Sequence, residues 1–122
     1  MFQSLYHPAQ GKEKLLNWLA LNAPGKTTAR FDSFKLSSDD VIRIASALEK
    51  NNQVKTLSFR DCGLSSEDIG VLHGAILKNS TLEEVKIEKF KTYPTDILEL
   101  IEGIDTHVTN NMENKQKTTL SK

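Results

Sequence analysis

The stretch FRDCGLSSEDIGVL, Phe59 to Leu72, contains the run LSSED, and a near copy, LSSDD, stands at Leu36 to Asp40. Leu36 and Leu64 are 28 positions apart, and the agreement spreads both ways at that offset. Val41 falls on Ile69, Ile44 on Leu72, Ala47 on Ala75 and Leu48 on Ile76. Lys50-Asn51 falls on Lys78-Asn79, and Val54, Leu57 and Phe59 fall on Leu82, Val85 and Ile87. A second step keeps the apolar positions Ile97, Leu100 and Ile104, and a backward step puts Phe31 before Phe59. A fixed period of this size is the signature of a repeat architecture. The match runs from about Lys26 to Ile104 and fades at both ends, as terminal repeats do.

Each unit has two halves. In VKTLSF, Val54 to Phe59, the apolar residues Leu57 and Phe59 flank polar Ser58, the pattern of a short strand with one buried face. LEEVKI, Leu82 to Ile87, reads the same way. The other half is helical. Val41, Ile44 and Leu48, and again Ile69, Leu72 and Ile76, form one apolar stripe at i, i+3, i+7. Ser37 with Asp40, and Ser65 with Asp68, have capping-box spacing. Lys50-Asn51 and Lys78-Asn79 suit helix C-termini, where cations and left-handed Asn are favoured. Thus LSSED returns because each unit starts its helix at the same point.

A strand, a helix and a parallel strand make a right-handed crossover. V54-K-T-L-S-F-R-D-C-G-L64 fits the pattern LxxLxLxx(N/C)xL through Val54, Leu57, Phe59, Cys62 and Leu64. In this the chain resembles leucine-rich-repeat proteins, and the 28-residue unit with a full helix is similar to their ribonuclease-inhibitor-like subclass. The Leu82 unit departs from the pattern at Phe90 and Thr92, and the Lys26 unit at Lys26, Ala29 and Phe34. The resemblance implies an α/β fold: a short solenoid of about three repeats, strands on the concave face, helices on the convex face, and an N-terminal capping helix. Its short, polar-tailed format also resembles small repeat proteins that intracellular bacterial pathogens deliver into host cells.

Composition narrows the function. The 122 residues suit one domain, and Lys plus Arg and Asp plus Glu are both 16, so no charge field recruits nucleic acid or a membrane surface. No apolar run approaches the roughly 20 residues of a membrane span. The start, MFQSLYHPAQGK, lacks a signal-peptide plan, and the single cysteine excludes an internal disulfide, as fits a cytoplasmic or intracellular setting.

The ends differ from the middle. Residues 1–25 read as an N-terminal cap and helix: Lys12 to Ala23 is helical, stopped by Pro24-Gly25, with Phe2, Leu5 and Tyr6 folded over it. Residues 26–112 hold the repeats, with Asp96 to Ile104 the third complete helix. Residues 113–122 read as a disordered polar tail.

Chemistry is thinly represented. Asp61, Cys62 and His73 come nearest to a catalytic set, but the repeat wants a small inward residue at Cys62, and nothing brings His73 to it. His7, His73 and His107 lack metal-ligand spacing, and there is no phosphate loop. No enzyme, cofactor or metal site is expected.

What remains is a surface. Strand residues between the apolar ones align as Thr28, Thr56, Glu84, then Arg30, Ser58, Lys86, then Asp32, Arg60, Glu88, with Ser33, Asp61 and Lys89 beside them. Either these side chains bind a partner or they only pair with each other; both can hold. Trp18 aligns with Ser46, Gly74 and Glu102, an outer position, unless it packs under the N-terminal cap. The expected function is a non-catalytic protein-binding module that modulates or inhibits a partner protein, in the sharper form by covering an enzyme's active site. The alternative is a structural protein that homo-oligomerises through the open end of its stack.

Overall fold

The computed structural model describes residues 8–25 and 27–120, with the side chains of 11–25 and 27–114. Phe2, Leu5, Tyr6, His7 and Lys26 lie outside the described residues. The elements run α1 (Pro8–Leu21), β1 (Thr28–Arg30), α2 (Ser38–Lys50), β2 (Thr56–Phe59), α3 (Ser66–Leu77), β3 (Glu84–Ile87) and α4 (Thr95–Leu120). The strands form one parallel sheet in the order β1-β2-β3. Thr28 pairs with Thr56 and Thr56 with Glu84, so the 28-residue spacing of the sequence is the register of the sheet.

Local chemistry starts α2 and α3 in the same way. Ser37 Oγ accepts from the Asp40 amide while Asp40 Oδ2 accepts from the Ser37 amide, and Ser65 with Asp68 repeats the box. Both satisfy amides that the first turn leaves without partners. Lys12 of α1 reaches Asp40 at 2.8 Å, tying α1 to the start of α2.

The helix stripes and the inward strand residues make one core. Val41, Ile44, Leu48, Ile69, Leu72 and Ile76 are fully buried, together with Leu57 and Phe31. Phe31 and Phe59 stack with ring centroids 5.5 Å apart across neighbouring strands, a geometry that adds about 0.5–1.5 kcal/mol beyond the buried area.

Beneath this core lie two buried asparagines. Asn51 Nδ2 donates to the Leu19 carbonyl at 2.9 Å, and its Oδ1 accepts from the Gln53 and Val54 amides. One unit later, Asn79 Nδ2 donates to the Leu48 and Asn51 carbonyls at 2.7 and 2.9 Å, and its Oδ1 accepts from Thr81 and Leu82. The Asn79 carbonyl in turn accepts from Asn111 Nδ2 and faces His107 Nε2 at 2.8 Å. The left-handed helix end expected at these asparagines falls elsewhere. Asn51 has extended backbone at φ −76°, and it is Asn22, after α1, that has φ 55°.

The expected leucine-rich-repeat solenoid, with about three repeats and a capping helix, is overturned. What forms is a small α/β domain of four helices and a three-stranded parallel sheet among the described residues. The reasons lie at its ends. α1 is a full helix with Leu16 and Leu19 in the core, and it begins at Pro8 rather than Lys12. The third unit has no inward-turned loop: Phe90 is 45% exposed, where Cys62 of the second unit is 2% exposed. α4 has 26 residues against 12 for α3, and it packs on both α3 and β3. It also replaces the polar tail expected from residue 113, remaining helical to Leu120. Ile97, Ile101, Ile104 and Val108 bury its inner face, and Asn111 pins it by donating to the Asn79 and Leu82 carbonyls. No helix among the described residues is long and apolar enough to cross a membrane.

Replacing Leu72 by Ala should lower stability by about 2–5 kcal/mol, because the removed atoms leave a void in packed surroundings. Denaturant melts of the variant measure this, and a loss under about 1 kcal/mol would contradict the burial described.

Candidate protein-binding face

The outer side of the sheet carries the aligned polar residues. Thr28, Thr56 and Glu84 form one row, and Arg30, Ser58 and Lys86 the next. Asp32, Arg60 and Glu88 follow just beyond the strand ends, with Asp61 and Lys89 next to them. The rows are brought together, but their members are not equivalent. Ser58 is buried, and its Oγ donates to Asp32 Oδ1 at 2.7 Å. It offers no free surface to a partner, which the alternation of the strand could not disclose.

The acids are engaged, and not by hydrogen bonds from the Arg60 guanidinium. Asp32 Oδ1 also accepts from the Arg60 amide at 2.9 Å, and Glu88 Oε1 accepts from the Asp61 amide at 2.5 Å. Each carboxylate thus braces the loop of the neighbouring unit. Asp61 needs the brace, since its backbone has φ 56°, the left-handed region that Asp tolerates better than most residues. Arg30 lies 3.6 Å from Asp32, and Lys89 lies 3.7 Å from Asp105 of α4. The guanidinium of Arg60 makes no hydrogen bond or ion pair among the described residues.

Burial pushes the Asp32 carboxyl up. The Ser58 hydroxyl, the Arg60 amide and the Arg30 and Arg60 charges outweigh it and hold the group below the usual carboxylate range.

A depression at the β3 end of the face is lined by Arg60, Val85, Lys86, Ile87, Glu88 and Asp105. Asp105 was not among the residues expected there. Its 28-residue offset puts it in line with exposed Leu77, and only the packing of α4 on β3 brings it to the sheet. Phe90 was not expected there either; its exposed ring meets Tyr93 edge-on at 5.4 Å, two residues beyond Glu88. At the β1 end a second depression is lined by Lys14, Leu15, Trp18 and Thr28. Trp18 is half-buried against the core there, so its outer face borders β1 rather than the middle of the row.

The residues that came nearest to a catalytic set are not assembled. Cys62 is buried, with Sγ 3.0 Å from the Phe31 carbonyl, and burial with the Asp32 charge pushes its thiol up to about 11. His73 stands on α3, against Gly103 of α4. Among the described residues no three His, Cys, Asp or Glu side chains are grouped to hold a metal ion.

The Asp32 arrangement sets a pH dependence. A carboxylate with a lowered folded-state pKa contributes stability above its unfolded value, about 3.9, and loses it as pH falls through the folded value. The stability gap between the parent protein and Asp32→Asn should therefore be full at neutral pH and shrink steadily below about pH 4. Melts at neutral and acid pH check this, and a gap that widens on acidification would contradict it.

No family model matches the chain, and no curated protein matches it. Among solved structures it is similar to leiomodin-1 actin-binding site 2, with 17% identity over 88% of this chain and 93% of that one and a TM-score of 0.46. It is also similar to the C-terminal domain of a Caenorhabditis elegans tropomodulin, with 12% identity over 91% of this chain and 99% of that one and a TM-score of 0.42. The expected kinship with ribonuclease-inhibitor-like and effector-type repeat proteins is corrected: no family model carries it, and these two neighbours are of another kind. At such identity and superposition they carry no argument about what this chain binds.

Proposed function

We propose that this domain is a non-catalytic protein-binding module that engages its partner through the outer face of the sheet and the adjoining loop rim. One observation carries the reading: Asp32 and Glu88 accept from backbone amides, while the guanidinium of Arg60 at the centre of the row forms no hydrogen bond or ion pair among the described residues. An arginine held by the acids on either side would offer little to a partner. This one keeps its forked donors for a partner's carboxylate or carbonyl groups.

Size limits the interface. Strands of 3, 4 and 4 residues at about 4.8 Å spacing present only a few hundred Å². A standard interface takes about 800 Å² from each partner. The partner must therefore also meet the rim, where Phe90 supplies exposed aromatic area. Covering the active site of a partner enzyme is the finer form of this reading. Self-association through the end of the sheet is disfavoured, because α4 packs against β3.

The test begins with affinity capture on the immobilised domain and identification of the partner by mass spectrometry. Arg60→Glu should then weaken binding by about tenfold or more, since it sets three acids in one row and repels a complementary surface. Lys50→Glu, the same charge change at the far end of α2, should leave binding within about twofold. Equal effects from both, or none from Arg60→Glu in a folded variant, would remove the sheet face as the site.

A further inference from the structure

We infer that the depression between β3 and α4 receives a carboxylate carried on an apolar peptide segment, clasped by Arg60 and Lys86. This rests on the reading of the sheet as a protein-binding face and names the chemistry of what enters it. Four charged side chains line the depression: Arg60, Lys86, Glu88 and Asp105. Glu88 keeps its charge but has Oε1 held by the Asp61 amide at 2.5 Å, and Asp105 lies 3.7 Å from Lys89. Neither cation forms a hydrogen bond or ion pair among the described residues.

Lys86 is half-buried and lines the depression beside Val85 and Ile87, and its ammonium has no counter-ion among the described residues. The wall itself contains Val85 and Ile87, buried and half-buried. An anion here would gain two charge-assisted contacts at a partly desolvated place, and an aliphatic neighbour would cover the apolar wall.

The same charges decide which anion fits. A phosphate dianion would meet Glu88 and Asp105 as well as the two cations, and the whole chain carries zero net charge to attract it. With Lys89 beside Asp105, three cations stand against two acids, so one carboxylate charge balances the rim and a dianion overshoots it. A protein segment supplies that carboxylate together with an apolar neighbour.

The test uses the isotope-labelled protein and two capped tripeptides, N-acetyl-Leu-Glu-Leu-amide and its Gln counterpart, followed by NMR. The glutamyl peptide should give saturable shifts at the Arg60 side-chain N–H and at the amides of residues 85–88 and 105. The Gln peptide should bind roughly tenfold more weakly, the size expected from losing charge-assisted bonds. Arg60→Gln and Lys86→Gln should each weaken the glutamyl peptide by a similar factor, and Lys50→Gln should not.

Equal binding of the two peptides, tighter binding of inorganic phosphate, or no localised shift up to about 20 mM peptide would overturn the inference. If the captured partner depends on Arg60 while the glutamyl peptide gives no shift, the carboxylate inference fails and the binding face stands. If the peptide binds as described while the partner ignores Arg60→Glu, the carboxylate receptor stands and the binding-face reading fails.

Discussion

Two buried carboxamides hold the layers of this domain in step. A strand that follows a helix leaves amides and carbonyls at the junction, and burying them unpaired costs about 1–3 kcal/mol each. Asn51 and Asn79 satisfy them on both sides at once: Nδ2 reaches back to a carbonyl of the preceding unit, and Oδ1 takes the two amides that lead into the next strand. Because the same side chain closes its own turn and binds the previous one, the units can stack in only one register. Asn111 and His107 extend the arrangement to α4 through the Asn79 carbonyl.

That register is what creates the binding face. With Thr28, Thr56 and Glu84 in line, Asp32 comes under the Arg60 amide and Glu88 under the Asp61 amide. The acids that flank Arg60 are drawn into bracing loops, and the guanidinium between them keeps its donors unused among the described residues. Structural need and binding capacity are thus divided among neighbours in one row, acids to the loops and arginine to the exterior. Burial of Ser58 beneath Asp32 follows from the same division.

Much of the scaffold was legible in the residues. The offset of LSSED from LSSDD gave the sheet register, and both Ser-x-x-Asp boxes formed as their spacing implied. What the residues hid was mostly tertiary. Lys50-Asn51 looked like an ordinary helix end, because nothing local says that an asparagine's side chain will be buried between two turns. The polar run after Glu113 looked unfit for a helix, yet α4 is held by Ile101, Ile104 and Val108 and by Asn111 against the turn at Asn79. The family resemblance failed where the pattern was thinnest, at Phe90 and Thr92, since one well-matched unit does not make an array. Within the face, alternation identified the outward positions but not their partners. It could not tell that Asp32 serves an amide, or that α4 would bring in Asp105, 17 positions beyond Glu88.

The most direct test of this account is the equilibrium unfolding of Asn79→Ala in denaturant. The substitution removes a side chain that makes four hydrogen bonds and strands the Leu48 and Asn51 carbonyls and the Thr81 and Leu82 amides. A loss of at least about 3 kcal/mol is expected, because several buried groups lose their partners together. A loss below about 1 kcal/mol would mean that hydrophobic packing alone sets the register, and that the carboxamides are not what holds the units in step.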